Sequence, residues 1–189
     1  MKIINIIVSM LMLISLSSCE KSIDTKDAEI SLKGLDPKSS GTRTYHQLQK
    51  LTENRSLEVL ECFDNHDKEG LKEMFAPAIA KDFSLDMQID KAFEIYDSES
   101  VKYKKLRTGE SSSHVDHGTY HERTFDGIIQ DIELENGKTY DINIFICYVD
   151  DKNPDMIGIT KMYLAESTGK NLRIIGRYND NIYESELAE

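Results

Sequence analysis

An α+β fold is predicted for this 189-residue chain by two changes of pattern along it. Apolar residues recur at helical spacing up to Tyr96, and at a spacing of two after Ser100. An Asn136-Gly137 pair then separates two long apolar runs, as in a β-hairpin. Runs of helices followed by runs of strands pack as helices on one side of an antiparallel sheet. The expected architecture is three N-terminal helices packed on a curved antiparallel sheet of about five strands.

The first helix is expected from Thr44 to Asp64, where Leu48, Leu51, Leu57, Val59, Leu60 and Phe63 recur near the 3.6-residue period. Asn65-His66 breaks that pattern. Asp67 is placed to cap a short second helix through Phe75, with Leu71, Met74 and Phe75 on its apolar side. Pro77 restarts the chain, and Ser84 can cap a third helix carrying Leu85, Ile89, Phe93 and Tyr96.

The first strand is read at 101–108, where Lys102, Lys104, Lys105 and Arg107 suit a sheet edge or a solvated face. For the central hairpin, a one-residue bulge at Gly137 pairs Leu134 with Tyr140, Ile132 with Ile142, Gln130 with Ile144 and Ile128 with Ile146. Glu133–Asp141, Asp131–Asn143 and Ile129–Phe145 then share the second face. In the next strand Ile157, Ile159, Tyr163 and Ala165 are read on one side, Met162 and Leu164 on the other. The last strand sets Leu172, Ile174 and Tyr178 opposite Arg173, Ile175 and Arg177.

The N-terminus has the form of an export signal. Lys2 precedes a run from Ile3 to Leu16 without charge, and Ser17-Ser18-Cys19 follows. The run is shorter than the roughly 20 residues that span a bilayer. Its ending, Leu16-Ser17-Ser18-Cys19, resembles the lipobox of bacterial lipoproteins. That resemblance implies lipidation of Cys19, cleavage before it, and display on the extracytoplasmic face of the cell membrane. The expected organisation is a signal peptide at 1–18, a flexible tether at 19–43, one α+β domain at 44–180 and an acidic tail at 181–189.

The net charge of −11 makes nucleic acid an unsuitable partner and repels the domain from an anionic bilayer. With Cys19 given to lipid, Cys62 and Cys147 remain. Two outcomes are open for them: a disulfide in an oxidising compartment, or two buried free thiols. There is no C-x-x-C pair and no Cys/His zinc spacing.

The order of elements resembles the nuclear transport factor 2-like, or cystatin-like, α+β cone. At closer range, the lipobox, DNHDKEGLKEMFAP and GKTYDINIFICYVDDKNPDMIGI resemble an uncharacterised family of lipoproteins from Gram-positive bacteria, over roughly residues 45–178. That family implies no activity and no catalytic residues. Cones of this kind often enclose a cavity, which isomerases and dehydratases line with Asp, His or Tyr. The resemblance therefore points to Tyr103, Tyr140, Tyr148 and Asp82 as cavity candidates.

HVDHGTYH, residues 114–121, concentrates three of the five histidines. On a helix, His114, His117 and His121 would share one face and could hold zinc. Val115, Gly118 and Thr119 disfavour a helix, so the segment is read as a polar loop entering a strand. His117 and His121 would then lie roughly 13 Å apart, too far to share an ion. In DDKNPDMIG, Asp151, Asn153 and Asp155 begin like a calcium loop, but Met156 and Met162 occupy the positions of the required Gly and Glu. No cofactor is expected. The expected function is that of a non-enzymatic protein anchored to the membrane through Cys19, binding a small ligand or another protein. An isomerase- or dehydratase-type enzyme and a histidine-based metal binder are the alternatives.

Overall fold

The computed structural model describes residues 35–176. The expected signal peptide, Cys19, the tether through residue 34 and the tail at 181–189 lie outside the described residues. Among the described residues, four helices precede six strands: α1 Thr42–Asn65, α2 Lys68–Glu73, α3 Pro77–Ala80, α4 Leu85–Ile95, then β1 Ser100–Lys102, β2 Lys105–Asp116, β3 Thr119–Leu134, β4 Thr139–Asp150, β5 Gly158–Glu166 and β6 Arg173–Ile175. The sheet is antiparallel and open, ordered β1-β3-β4-β5-β6, with β2 also paired to β3.

Each helix has a local cause. α1 ends in a Schellman turn: His66 adopts φ 51°, and the N–H of Asp67 reaches back to the Cys62 carbonyl at 2.9 Å. The Asp67 carboxylate caps α2 by accepting from Gly70 N at 2.9 Å. The helix count is four, not three, because Pro77 opens a separate single turn, where a fixed φ and a missing N–H cost nothing. Ser84 occupies the N-cap of α4 but makes no capping bond of the expected kind. Its hydroxyl accepts from Gln88 Nε2 instead, while Asp82 Oδ1 accepts from Ser84 N at 2.8 Å.

The register of the central hairpin differs from the expected one. Leu134 pairs with Lys138 around a three-residue turn, so Ile132 faces Tyr140 and Glu133 faces Thr139. A second irregularity at Gln130–Asp131 then shifts the ladder, and Ile129 faces Ile142. Asp131 sits at φ 50°, with its N–H on Asp141 Oδ1 at 2.7 Å. The bulge turns Phe125, Gly127 and Ile129 inward and Ile128 outward. It also interrupts the ladder opposite Tyr103–Lys104, so the expected first strand divides into β1 and β2. A shift beside Phe145 similarly puts Ile159 on the same side as Met162 and Leu164, against the expected alternation.

The helices cover one face of the sheet. Phe63, Ile89, Phe93 and Tyr96 pack against Ile129, Ile132, Tyr140, Ile142, Ile144 and Leu164 in one core. Each fully buried side chain of this size contributes about 1.5–3 kcal/mol. α1 approaches β3 closely at Gly127, where a Cβ would lie 2.1 Å from the Ser56 hydroxyl. Among the described residues, no helix lies over the opposite face. It carries Ile128, Asn143, Phe145, Tyr163 and Ile174 half-buried, and Asn143 Oδ1 is buried without a hydrogen-bond partner among the described residues.

Candidate functional site

HVDHGTYH is the end of the β2–β3 hairpin, not a loop entering a strand. Asp116 pairs with Thr119 around His117 and Gly118, whose φ values of 48° and 80° make the two-residue turn that suits strand twist. The hairpin folds His114 back toward His121, with ring centroids 5.9 Å apart. His117 stays at the tip, its Nδ1 2.6 Å from Asp116 Oδ1. His121 Nδ1 lies 2.9 Å from Asp151 Oδ2, and Asp151 Oδ1 lies 2.7 Å from Lys38 Nζ. Lys38 first, then His121, hold the Asp151 carboxyl below its ordinary range. Among the described residues, no group of three or more His, Cys, Asp and Glu side chains is arranged to hold a metal ion.

The better-defined constellation lies one turn of the strand further in. Arg123 is the largest fully buried side chain, 1% exposed. Its Nε and Nη2 donate to Glu110 Oε2 at 3.2 and 3.0 Å, and its Nη1 donates to the carbonyls of Pro37 and Ser39 at 3.2 and 3.1 Å. The guanidinium carbon stands 3.9 Å from the centre of the Tyr120 ring. A buried cation is tolerated only with its charge paired and its donors satisfied, and this one meets both conditions. The Tyr120 N–H also bonds the Lys38 carbonyl at 3.0 Å, and Ser39 bridges to Thr119. Residues 37–39, read from sequence as tether, are thereby fastened along the end of the hairpin.

The expected cavity residues are not brought together. Tyr103 is exposed. Tyr140 donates its hydroxyl to the Ile95 carbonyl at 2.7 Å, and Tyr148 bonds the Thr52 hydroxyl at 3.0 Å from the sheet to α1. Burial pushes the Tyr148 hydroxyl up to about 12. Asp82 serves α4, as described. Asp64, which periodicity did not single out, accepts from the Tyr96 hydroxyl and from both N–H and hydroxyl of Ser100, tying α1 to α4 and β1. In 150–155, Asp150 accepts the N–H groups of Lys152 and Asn153, and Asp155 pairs with Lys81 at 3.3 Å. An open cleft of about 620 Å³ lies there, between α3 and the 3₁₀ turn at Pro154–Met156.

Residues 58–167, more than half of the chain, match the family model described as a domain of unknown function, DUF5104. The chain belongs to that family. No curated protein matches it. The DUF5104 match runs from the second half of α1 to just past β5 and contains both Arg123 and Glu110. The two carbonyls that Arg123 grips precede it, so the clamp joins the DUF5104 domain to the segment leading in from the N-terminus.

The disulfide that sequence left open is not formed. Cys62 and Cys147 are both buried free thiols. Cys62 belongs to the core under α1, whereas Cys147 lies outside that cluster beside the β3–β4 irregularity, its Sγ donating to the Val149 carbonyl at 3.3 Å. Burial, helped by nearby carboxylates, pushes each thiol up to about 11. At pH 8 about one molecule in a thousand would carry either thiolate. Ellman's reagent should therefore find both thiols of the Cys19→Ala chain slow in the native state and fast after unfolding. Two missing thiols in denaturant without reductant would reveal a disulfide instead. The raised values also make a stability term: full below the unfolded thiol value near 9, it falls away as pH rises toward 11.

Proposed function

We propose that this DUF5104 protein is a lipid-anchored binding module of a Gram-positive cell, held on the extracytoplasmic face of its membrane through Cys19. Its helix-covered sheet is a variant of the nuclear transport factor 2-like cone, and its work is non-enzymatic recognition of another protein. The observation that carries the reading is Leu16-Ser17-Ser18-Cys19 at the end of an uncharged apolar run.

Three structural features support it. The Arg123 clamp holds the chain entering from the N-terminal side, as a displayed domain requires of its attachment point. Tyr140, Tyr148 and Asp82, which a cavity enzyme would use, are engaged in structural bonds, and Tyr103 is exposed. The space between helices and sheet is filled with apolar side chains, which directs recognition to the surface.

Metabolic labelling with a radioactive fatty acid tests the anchor. The wild-type chain should take up label and enter the detergent phase, and Cys19→Ala should do neither. Equal labelling of the two, or none on the wild type, would refute the anchor.

A further inference from the structure

The uncovered face of the sheet is ordered in cross-strand rows. Gly109, Asp126, Phe145 and Lys161 form one; Arg107, Ile128, Asn143, Tyr163 and Ile174 form the next. Residues directly opposite on paired strands share a face, so both rows point away from the helices. Phe145 and Tyr163 meet edge to face with centroids 5.7 Å apart, and Lys161 Nζ stands 4.6 and 5.0 Å from their ring centres. Neither Asp126 nor Lys161 has an ion-pair partner among the described residues, although they flank Phe145 on either side.

We propose that this face is the interface of a homodimer whose twofold axis runs along β4. A rotation about that line keeps position along the strands and reverses their order. It sets Phe145 on Phe145, Ile128 on Tyr163, and Asp126 of each copy on Lys161 of the other. Asn143 meets Asn143 one row along. A second copy is the occupant that answers both charges at once, because the row carries its own complement in reverse order. Two twisted sheets packed face to face lie within roughly 30° of each other, so the match is closest along β4 and its neighbours.

Sedimentation equilibrium of the full chain in excess detergent tests the interface. The wild type should be a dimer. Asp126→Lys and Lys161→Asp should each weaken it by about tenfold or more, because each sets like charges together twice. The double variant, with the pair reversed, should recover the dimer to within a few-fold. A wild type that is monomeric throughout, single reversals without effect, or a double variant as weak as the singles would each overturn the proposal. So would a different protein sedimenting with the wild type in place of a second copy.

Discussion

Replacing Arg123 by Met should destabilise the domain by about 3–5 kcal/mol, read as a shift of the urea midpoint at unchanged slope. Methionine preserves apolar bulk beside Tyr120 but removes all four donations. Glu110, its side chain 18% exposed, is left charged without its cation, and the Pro37 and Ser39 carbonyls lose their donor. The loss should exceed that of a surface pair such as Lys81–Asp155, whose Asp155→Asn variant should change stability by under about 1 kcal/mol. Arg123→Met combined with Glu110→Gln should recover part of the loss, because the uncompensated charge is gone. Arg123→Met should also speed cleavage by a protease within 35–41 well before the rest of the domain is attacked. Unchanged cleavage there would show that the β-bridge at Ser39 suffices to hold the segment.

Gly158→Ala should cost about 3 kcal/mol by the same measurement. Gly158 has φ +127°, and an added Cβ would lie 2.9 Å from Ala76 N and 3.0 Å from Ala76 Cα. These are backbone atoms, and they are held in place: Ala76 N donates to the Ile159 carbonyl at 2.8 Å, and Ile159 N to the Met74 carbonyl at 3.0 Å. The substitution must therefore break the parallel bridge that joins the end of α2 to β5. Gly137 separates the steric part from the conformational one. It has φ +81° with nothing near a new Cβ, so Gly137→Ala should cost only about 1 kcal/mol. Equal losses at the two sites would mean that the contact with Ala76 is relieved by local movement.

Helix positions were legible because each helix carries its own signals. The period of Leu48 to Phe63, the cap at Asp67, and Leu85, Ile89, Phe93 and Tyr96 are all local features; the buried face of α4 follows them, whereas α1 buries Thr44, Thr52 and Ser56 and leaves Leu51 and Leu57 half-exposed. Strand register was less legible. One inserted residue reverses every side chain beyond it, and the left-handed turn at Asp131 depends on a carboxylate ten residues away. Arg123 offered a signal that alternation contains: it shares parity with Phe125, and an arginine in phase with a core aromatic must be paired or exposed. Which it would be, and with what, lay in Glu110 on another strand and Pro37 far up the chain. The histidines show the same limit. Spacing along one strand kept His117 from His121, but the turn brought His114 to His121 from the neighbouring strand.

The sequence by itself determined the class of the domain, the succession of helices before strands, the buried face of α4 and the lipobox-like ending at Cys19. These depend on interactions within a few residues, which composition and period record directly. The tertiary structure alone decided the hairpin register, the outward face centred on Asn143 and Phe145, the free state of Cys62 and Cys147, and the Arg123 clamp. Each of those is a choice among partners distant in the chain. A paired buried charge and close backbone approach make one such choice cheaper than its rivals only once the layers have met.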